Sequence, residues 1–155
     1  MLYKEVEGDL FELGKGSYLV HCISSDFALG AGIAVKFRQM GVADSLNEDY
    51  FFTRNIFEKG YCLYTTACKN DDIYKGVFNL VTKHKYFNKP TYQSMQEALT
   101  SLKANIESLN IKSASLYMPL IGCGLDRLSW DKVSDMIKST FSDCDIEIVV
   151  CKYGR

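Results

Sequence analysis

The sequence has few of the residues that build metal sites. Its 155 residues include only two histidines, and its six cysteines form no C-x-x-C pair. A zinc site needs more ligands at closer spacing, so no metal is predicted. Cys22, Cys62 and Cys151 lie in apolar, strand-like runs, where cysteine behaves as a small hydrophobic residue. These patterns indicate a reduced, cytoplasmic protein.

The sequence also lacks an excess of charge of either sign and any long hydrophobic run. The formal net charge is -1, which provides no broad basic surface for gripping a nucleic-acid backbone, although a pocket can still bind a modified nucleotide. No apolar run approaches the roughly 20 residues that cross a bilayer, and the first residues have no apolar core of signal-peptide length. A chain of this size can bury a substantial core, so we predict one monomeric domain over residues 1–155 with no membrane partner.

Two glycine pairs are the most informative motifs. Gly30-Ala31-Gly32 and Gly122-Cys123-Gly124 each stand between an apolar, strand-like run and a helix-like segment. Glycines at such a place let backbone N–H groups approach anionic oxygens closely. Each pair alone is also compatible with a simple strand-to-helix turn. Neither has a P-loop lysine or a full G-x-G-x-x-G, so the loops together predict a phosphate cradle without a nicotinamide cofactor.

Strand-like and helix-like segments alternate along the chain, which predicts an α/β sandwich with a mixed sheet covered on both faces. A helix is predicted over Thr91–Asn110 from an apolar stripe that ends at Leu109 and is expected to lie in the core, and another helix begins near Ser129. The polar segment 69–72 is predicted to be a hairpin tip. Ligands bind at the carboxyl ends of strands in such sheets, so both glycine loops are expected to face one cleft. Strand-like runs occupy Leu2–Glu7, Ser17–Ile23, Gly60–Thr66, Gly76–Thr82, Ser113–Met118 and Ile146–Cys151.

Six motifs in the same order and with similar gaps resemble the macrodomain family over nearly the whole chain. The resemblance is to the branch of terminal ADP-ribose protein glycohydrolases and of antitoxin macrodomains that remove ADP-ribose from DNA. It implies a three-layer α/β/α fold with an ADP-ribose pocket. The matching segments are Gly8–Phe11, His21–Ser24, Gly30–Ala34, Thr82-Lys83, Lys89–Tyr92 and Pro119–Trp130.

The resemblance also implies which residues bind ADP-ribose. Asp9 would accept a hydrogen bond from the adenine amino group, with the backbone N–H of Leu10 beside it. From its residue type alone, Asp9 is also compatible with a helix N-cap or a turn. Ser24 would line the distal ribose and the diphosphate, and Tyr153 would stack near the adenosine. The remaining expected binding residues are Gly30, Ala31, Gly32 and Ile33 in the first loop, and Gly122, Cys123, Gly124 and Leu125 in the second.

Lys83 and Asp126 are the catalytic pair that the resemblance implies. The lysine would attack C1″ of the distal ribose, and the aspartate would act as acid/base. An ordinary lysine amine has a pKa of about 10.4, so a nucleophilic lysine needs desolvation or a neighbouring cation, for which Lys85 is expected on the same face of an extended segment. Taken alone, Lys83 is also compatible with an exposed lysine that only neutralises diphosphate, and Asp126 with a carboxylate near a helix N-terminus. The Thr82-Lys83 and Leu125-Asp126 matches favour catalysis.

The resulting functional prediction is an ADP-ribosyl hydrolase that acts on mono-ADP-ribosylated protein, through an acidic side chain, or on ADP-ribosylated DNA bases. The near-neutral net charge favours the protein substrate, although the family's activities include repair of modified DNA. One alternative is a non-catalytic reader that binds ADP-ribose. Another is removal of acetate from O-acetyl-ADP-ribose or of phosphate from ADP-ribose 1″-phosphate. His21 and Cys123 do not form a nucleophilic pair in this prediction, because His21 lies in a buried strand pattern and Cys123 is expected to pack.

Overall fold

The computed structural model describes residues 1–54, 58–66 and 73–152, so the predicted hairpin tip at 69–72 lies outside the described residues. This part of the chain forms six strands and five helices. No helix among the described residues is long and apolar enough to cross a membrane. The strands are β1 (Leu2–Glu7), β2 (Tyr18–Ser24), β3 (Tyr61–Thr65), β4 (Gly76–Lys83), β5 (Ala114–Met118) and β6 (Ile146–Lys152). The helices are α1 (Leu10–Leu13), α2 (Ala34–Gln39), α3 (Val42–Asp49), α4 (Tyr92–Ser108) and α5 (Trp130–Thr140). Their order along the chain is β1-α1-β2-α2-α3-β3-β4-α4-β5-α5-β6.

The strands form one mixed sheet in the order β1-β6-β5-β2-β4-β3. Every neighbouring pair is parallel except β3 and β4, which are antiparallel. The carboxyl ends of β1, β6, β5, β2 and β4 therefore lie at the same edge of the sheet. In parallel α/β sheets this edge is where ligands bind.

Helices cover both faces of the sheet and create two cores. On one face, α1, α2 and α3 bury apolar side chains such as Phe37 and Leu46 against the sheet. On the other face, α4 and α5 do the same with residues such as Leu99 and Ile137. The predicted α/β sandwich with a mixed central sheet is confirmed, and the two helical layers make it a three-layer arrangement.

Helix α4 packs as its apolar stripe predicts, but its end differs from the prediction. Met95, Leu99, Leu102 and Ile106 are buried, whereas Leu109 is 46% exposed. The expectation that Leu109 is a core residue is wrong because the helix ends at Ser108 and Leu109 is its C-cap. The chain leaves the sheet there and continues through Asn110, which has a left-handed φ of 56°.

Candidate active site

Lys83 and Asp126 form an ion pair at the carboxyl edge of the sheet. Lys83 is the last residue of β4, and Asp126 lies in the connection between β5 and α5. Lys83 Nζ donates a hydrogen bond of 2.8 Å to Asp126 Oδ1, and the two side chains expose only 16% and 15% of their surface. Because β2 lies between β5 and β4, this contact crosses the end of β2.

The position of Lys83 is fixed by an irregularity in the pairing of β2 with β4. Ile23 lies opposite Val81, but the next residue, Ser24, lies opposite Lys83, so one residue of β4 is skipped. Such a β-bulge changes the direction of the side chains that follow it. Just beyond it, the backbone N–H of Ser25 donates to the carbonyl oxygens of Lys83 and His84, each at 3.0 Å. The backbone at the proposed nucleophile is therefore held on its β2 side.

The position of Asp126 is fixed by a compact turn around Gly122. Gly122 has a φ of +74°, and a Cβ atom there would lie 2.8 Å from Met95 Cε, so the chain needs a glycine for two reasons. The N–H of Leu128 closes the turn by donating to the Gly122 carbonyl at 2.7 Å. Arg127, directly after Asp126, has a left-handed φ of 63°.

The two glycine loops lie against each other, which agrees with the expectation of a single cleft. A Cβ atom on Gly32 would lie 3.7 Å from Leu125 Cδ1. Within the described residues, seven backbone N–H groups of these loops donate to no protein acceptor, so they can bind anionic oxygens. The N–H of Cys123 differs, because it donates to the Leu120 carbonyl at 3.1 Å. The seven available donors belong to Gly30, Ala31, Gly32, Ile33, Gly122, Gly124 and Leu125.

Comparison with known proteins identifies the family. The profile of the Macro domain family matches residues 20–137. The chain belongs to the macrodomain family. This macrodomain is 40% identical over 147 residues to a Homo sapiens protein named ADP-ribose glycohydrolase OARD1, and the match covers 94% of this chain and 88% of that protein.

Solved structures show the same fold. The macrodomain of Mycobacterium tuberculosis DarG matches this macrodomain with a TM-score of 0.80 and 22% identity, over 99% of both chains. Thermosipho africanus DarTG in complex with ADP-ribose matches with a TM-score of 0.76 and 18% identity, over 96% of this chain and 41% of that chain. At these identities the similarity concerns the fold of the macrodomain.

Asp9 lies at the far end of the same edge, after β1. It is the N-cap of α1, and its Oδ1 accepts a hydrogen bond of 3.0 Å from the N–H of Phe11. The capping role is thus present, and the second carboxylate oxygen has no protein partner within the described residues. The side chain of Leu10 is buried, and Tyr153 lies outside the described residues. Four strand spacings separate β1 from β4, or about 19 Å, a span suited to an extended nucleotide sugar.

Cys22, Cys123 and His21 do not offer a competing nucleophile. Burial raises the pKa of Cys22, with a smaller contribution from the charge of Asp126, and burial raises the pKa of Cys123 to about 11. Both thiols are therefore neutral at pH 7. His21 stacks on Phe37 in the core beneath α2, whereas Cys123 packs against the core on the opposite face of the sheet. These positions agree with the rejection of a His21–Cys123 pair.

Asp26 is a site residue that the sequence prediction missed. Its Oδ1 accepts hydrogen bonds from the Ser24 hydroxyl at 2.5 Å and the Ala28 N–H at 3.2 Å, and its Oδ2 accepts one from the Tyr86 N–H at 3.0 Å. One carboxyl group thus joins the end of β2, the first loop and the segment after Lys83. Ser24, predicted to line the ligand, uses its hydroxyl proton in this network. An aspartate two residues after a strand is the local signal that suggests such a turn.

The segment after Lys83 also differs from the prediction. The expectation that Lys85 shares a face with Lys83 assumed an extended chain, but β4 ends at Lys83 and a turn follows. Lys89, at the end of this turn, donates from Nζ to the Leu125 carbonyl at 2.9 Å. Within the described residues, no three or more His, Cys, Asp or Glu side chains are gathered into a metal site.

Proposed function

We propose that this macrodomain binds ADP-ribose attached through its terminal ribose and hydrolyses the bond at C1″, with Lys83 as nucleophile and Asp126 as acid/base. The observation that carries the proposal is the 2.8 Å contact between Lys83 Nζ and Asp126 Oδ1 beside two loops with available N–H donors. The name of the 40% identical relative, ADP-ribose glycohydrolase, supports the same reaction.

The geometry suits a two-step displacement. Asp126 first takes a proton from the Lys83 ammonium, and the amine then attacks C1″. The bond from C1″ to the acceptor breaks, and the acceptor leaves with the electron pair and the proton from Asp126. In the second step Asp126 removes a proton from water, which attacks C1″. The bond to Nζ breaks, and the amine recovers its proton from Asp126, so both groups return to their starting states.

The proposed substrates are mono-ADP-ribosylated proteins, linked through an acidic side chain, and ADP-ribosylated nucleic-acid bases. In both, the adenosine would extend toward Asp9 and the diphosphate would lie between the two glycine loops. The acceptor would leave the cleft past Lys83 and the turn that follows it. In this orientation C1″ would lie beside the ion pair, within reach of the amine.

The test is release of ADP-ribose from both kinds of substrate by wild type, Lys83→Ala and Asp126→Ala. We expect Lys83→Ala to abolish turnover and Asp126→Ala to lower kcat about 10²–10⁴-fold. Lys103→Ala is the matched control, because it breaks an exposed ion pair of 2.9 Å with Asp143 and should leave the rate unchanged. Calorimetry with ADP-ribose shows whether each variant still has a folded pocket.

Mass spectrometry distinguishes the mechanism from its alternatives. Wild type stopped during turnover should contain a protein heavier by one ADP-ribosyl group, and Lys83→Ala should remove that adduct. Wild-type turnover by Lys83→Ala would refute the nucleophile. Binding of ADP-ribose by wild type without turnover of any linkage would identify a reader, and selective release of acetate or inorganic phosphate would identify the esterase or phosphatase activity.

A further inference from the structure

Two aromatic side chains stand exposed on the turn that follows the proposed nucleophile. Tyr86 and Phe87 expose 65% and 68% of their surface. Their rings contact each other edge to face, with centroids 5.3 Å apart and an interplanar angle of 86°. Aromatic residues of this size normally bury their rings, so an adjacent exposed pair beside a reaction centre suggests a contact surface.

The turn that carries these rings is fixed to the site at both ends. Near its start, the backbone N–H of Tyr86 donates to Asp26 Oδ2 at 3.0 Å. At its end, Lys89 Nζ donates to the carbonyl of Leu125, the residue before Asp126, at 2.9 Å. The turn is therefore tied to Asp26, after β2, and to the second loop, and the pair lies three and four residues after Lys83. In the orientation proposed above, the acceptor bonded to C1″ leaves the cleft past this turn.

The sequence segment around the pair has charge of one sign only, although in the fold Asp26 contacts its backbone and Asp126 pairs with Lys83. Residues 73–96 contain four lysines and no aspartate or glutamate. Two of the lysines, Lys85 and Lys89, flank the aromatic pair. Although the formal net charge of the chain is -1, the segment 73–96, which contains Lys83, is positively charged. Aromatic rings interleaved with cations are typical of proteins that bind single-stranded nucleic acid.

The chemistry of the rings discriminates between the two acceptor classes. A planar base can stack on an aromatic ring in an offset, face-to-face arrangement, whereas a glutamate ester of a peptide has no flat ring to stack. Stacking on a base is worth the most when the base is unpaired, because both of its faces are then accessible. Lysines on either side would contact the phosphates that flank the base.

Resting on the proposed function, we propose that Tyr86 and Phe87 form an acceptor platform on which the ADP-ribosylated base of a single-stranded nucleic acid, or its neighbour, stacks while Lys83 attacks C1″. The platform is a specificity-determining surface and takes no part in the bond changes. It reverses the preference for protein substrates that net charge alone suggests, because the relevant charge is local.

The test compares two substrates on the same variants. One is a short single-stranded oligonucleotide with one ADP-ribosylated base, and the other is a peptide with one ADP-ribosylated glutamate. Tyr86→Ala with Phe87→Ala should lower kcat/KM on the oligonucleotide roughly 10- to 100-fold and leave the peptide rate unchanged. Tyr86→Phe should retain the wild-type rate, because the ring remains.

Phe52→Ala is the matched control. Phe52 is 72% exposed and contacts Phe51 in a second aromatic pair, at the end of α3. The hydroxyl of the neighbouring Tyr50 donates to the carbonyl of Tyr64. Tyr64 pairs with Phe78 of β4, and Phe78 lies five residues before Lys83. Loss of an exposed ring there should change neither substrate's rate. Thermal unfolding of each variant confirms that the fold is retained.

The outcomes separate this proposal from the proposed function. Equal losses on both substrates, a loss on the peptide only, or no loss would overturn the platform while leaving hydrolysis intact. If wild type hydrolyses neither substrate, the proposed function fails, and binding still tests the platform. Lys83→Ala protein should bind the modified oligonucleotide at least roughly 10-fold more tightly than free ADP-ribose, and removal of both rings should abolish that difference. Equal affinities would refute the platform.

Discussion

Gly122 shows how a single backbone angle determines the place of the proposed acid/base. Its φ of +74° disfavours any residue with a Cβ, and the Met95 and Leu128 side chains fill the space that a Cβ would occupy. Gly124, two residues later, has neither constraint: no atom lies within 4 Å of its Cβ position. The two glycines of one motif thus differ in constraint, because the turn requires Gly122, whereas the site of Gly124 has room for a side chain.

Replacing these glycines by alanine gives a matched pair of variants. Gly122→Ala should lower the free energy of unfolding by about 2–4 kcal/mol, from left-handed strain and crowding against Met95. Gly124→Ala should leave it nearly unchanged. Urea unfolding measures both. Equal stabilities of the two variants would show that the turn can rearrange, and the fixed position of Asp126 would then have to be abandoned.

Asp26 and Lys83 illustrate what sequence can and cannot predict at this scale. The lysine and its aspartate partner are both found from short motifs, because each motif is local. The network of Asp26 is not found, because it joins β2 to a turn 60 residues away. Cys123 illustrates the same limit, since only the fold shows that its N–H is already used by Leu120.

Helix α4 links the core to the site through its first turn. Thr91 and Ser94 form a capping box, in which each side chain accepts from the other's backbone N–H at 2.9 Å. The Ser94 hydroxyl also donates to the carbonyl of Thr82 at 2.7 Å, next to Lys83. The helix start is therefore attached to the end of β4 by a buried hydrogen bond.

Ser94→Ala should destabilise the protein by about 1–3 kcal/mol, because it removes one half of the capping box and leaves the buried Thr82 carbonyl without its partner. Ser139→Ala, at an exposed position in α5, is the control and should have almost no effect. Chemical denaturation of both variants is the measurement. A Ser94→Ala protein as stable as wild type would mean that water replaces the hydroxyl.

Elements with a clear periodic pattern are predictable, and their junctions are less so. The apolar stripe of α4 and the buried run of β4 place both elements to within about two residues. The bulge opposite Lys83 depends on the pairing of β2 with β4, which no local pattern contains. Ser129 shows an intermediate case: it is the N-cap of α5, as predicted, but its side chain makes no capping hydrogen bond.

At the scale of the whole molecule, His21 is a buried group whose protonation opposes folding. His21 is fully buried, and its Nε2 lies 2.6 Å from Asn79 Oδ1. Burial lowers its pKa from 6.5 to about 4, against a smaller opposing effect of the Asn79 hydrogen bond. As pH falls below 6.5, the unfolded chain binds a proton at this histidine that the folded protein does not bind. The contribution of His21 to the free energy of unfolding is therefore lost between pH 6.5 and 4, and it is fully present above pH 6.5.

At pH 4.5 this histidine should cost about 2.5 kcal/mol of stability relative to neutral pH. Carboxyl groups titrate in the same range, so the comparison is between wild type and His21→Gln, which keeps a donor for Asn79 and has no proton to gain. The free energy of unfolding is measured at pH 7 and 4.5 for both proteins. Its decrease between the two pH values should be about 2.5 kcal/mol smaller in His21→Gln than in wild type. Equal losses in both proteins would place the proton elsewhere.

The ion pair has one member anchored in the sheet and the other supplied by a connection. Lys83 is a strand residue, so its place depends on the whole β2–β4 pairing, and a substitution that shifts it would disturb the core. Asp126 belongs to the β5–α5 connection, where residues can be exchanged without altering any strand. Substitutions in the connection can therefore change the position of the carboxylate one residue at a time. The position of the amine changes only together with the pairing of the strands.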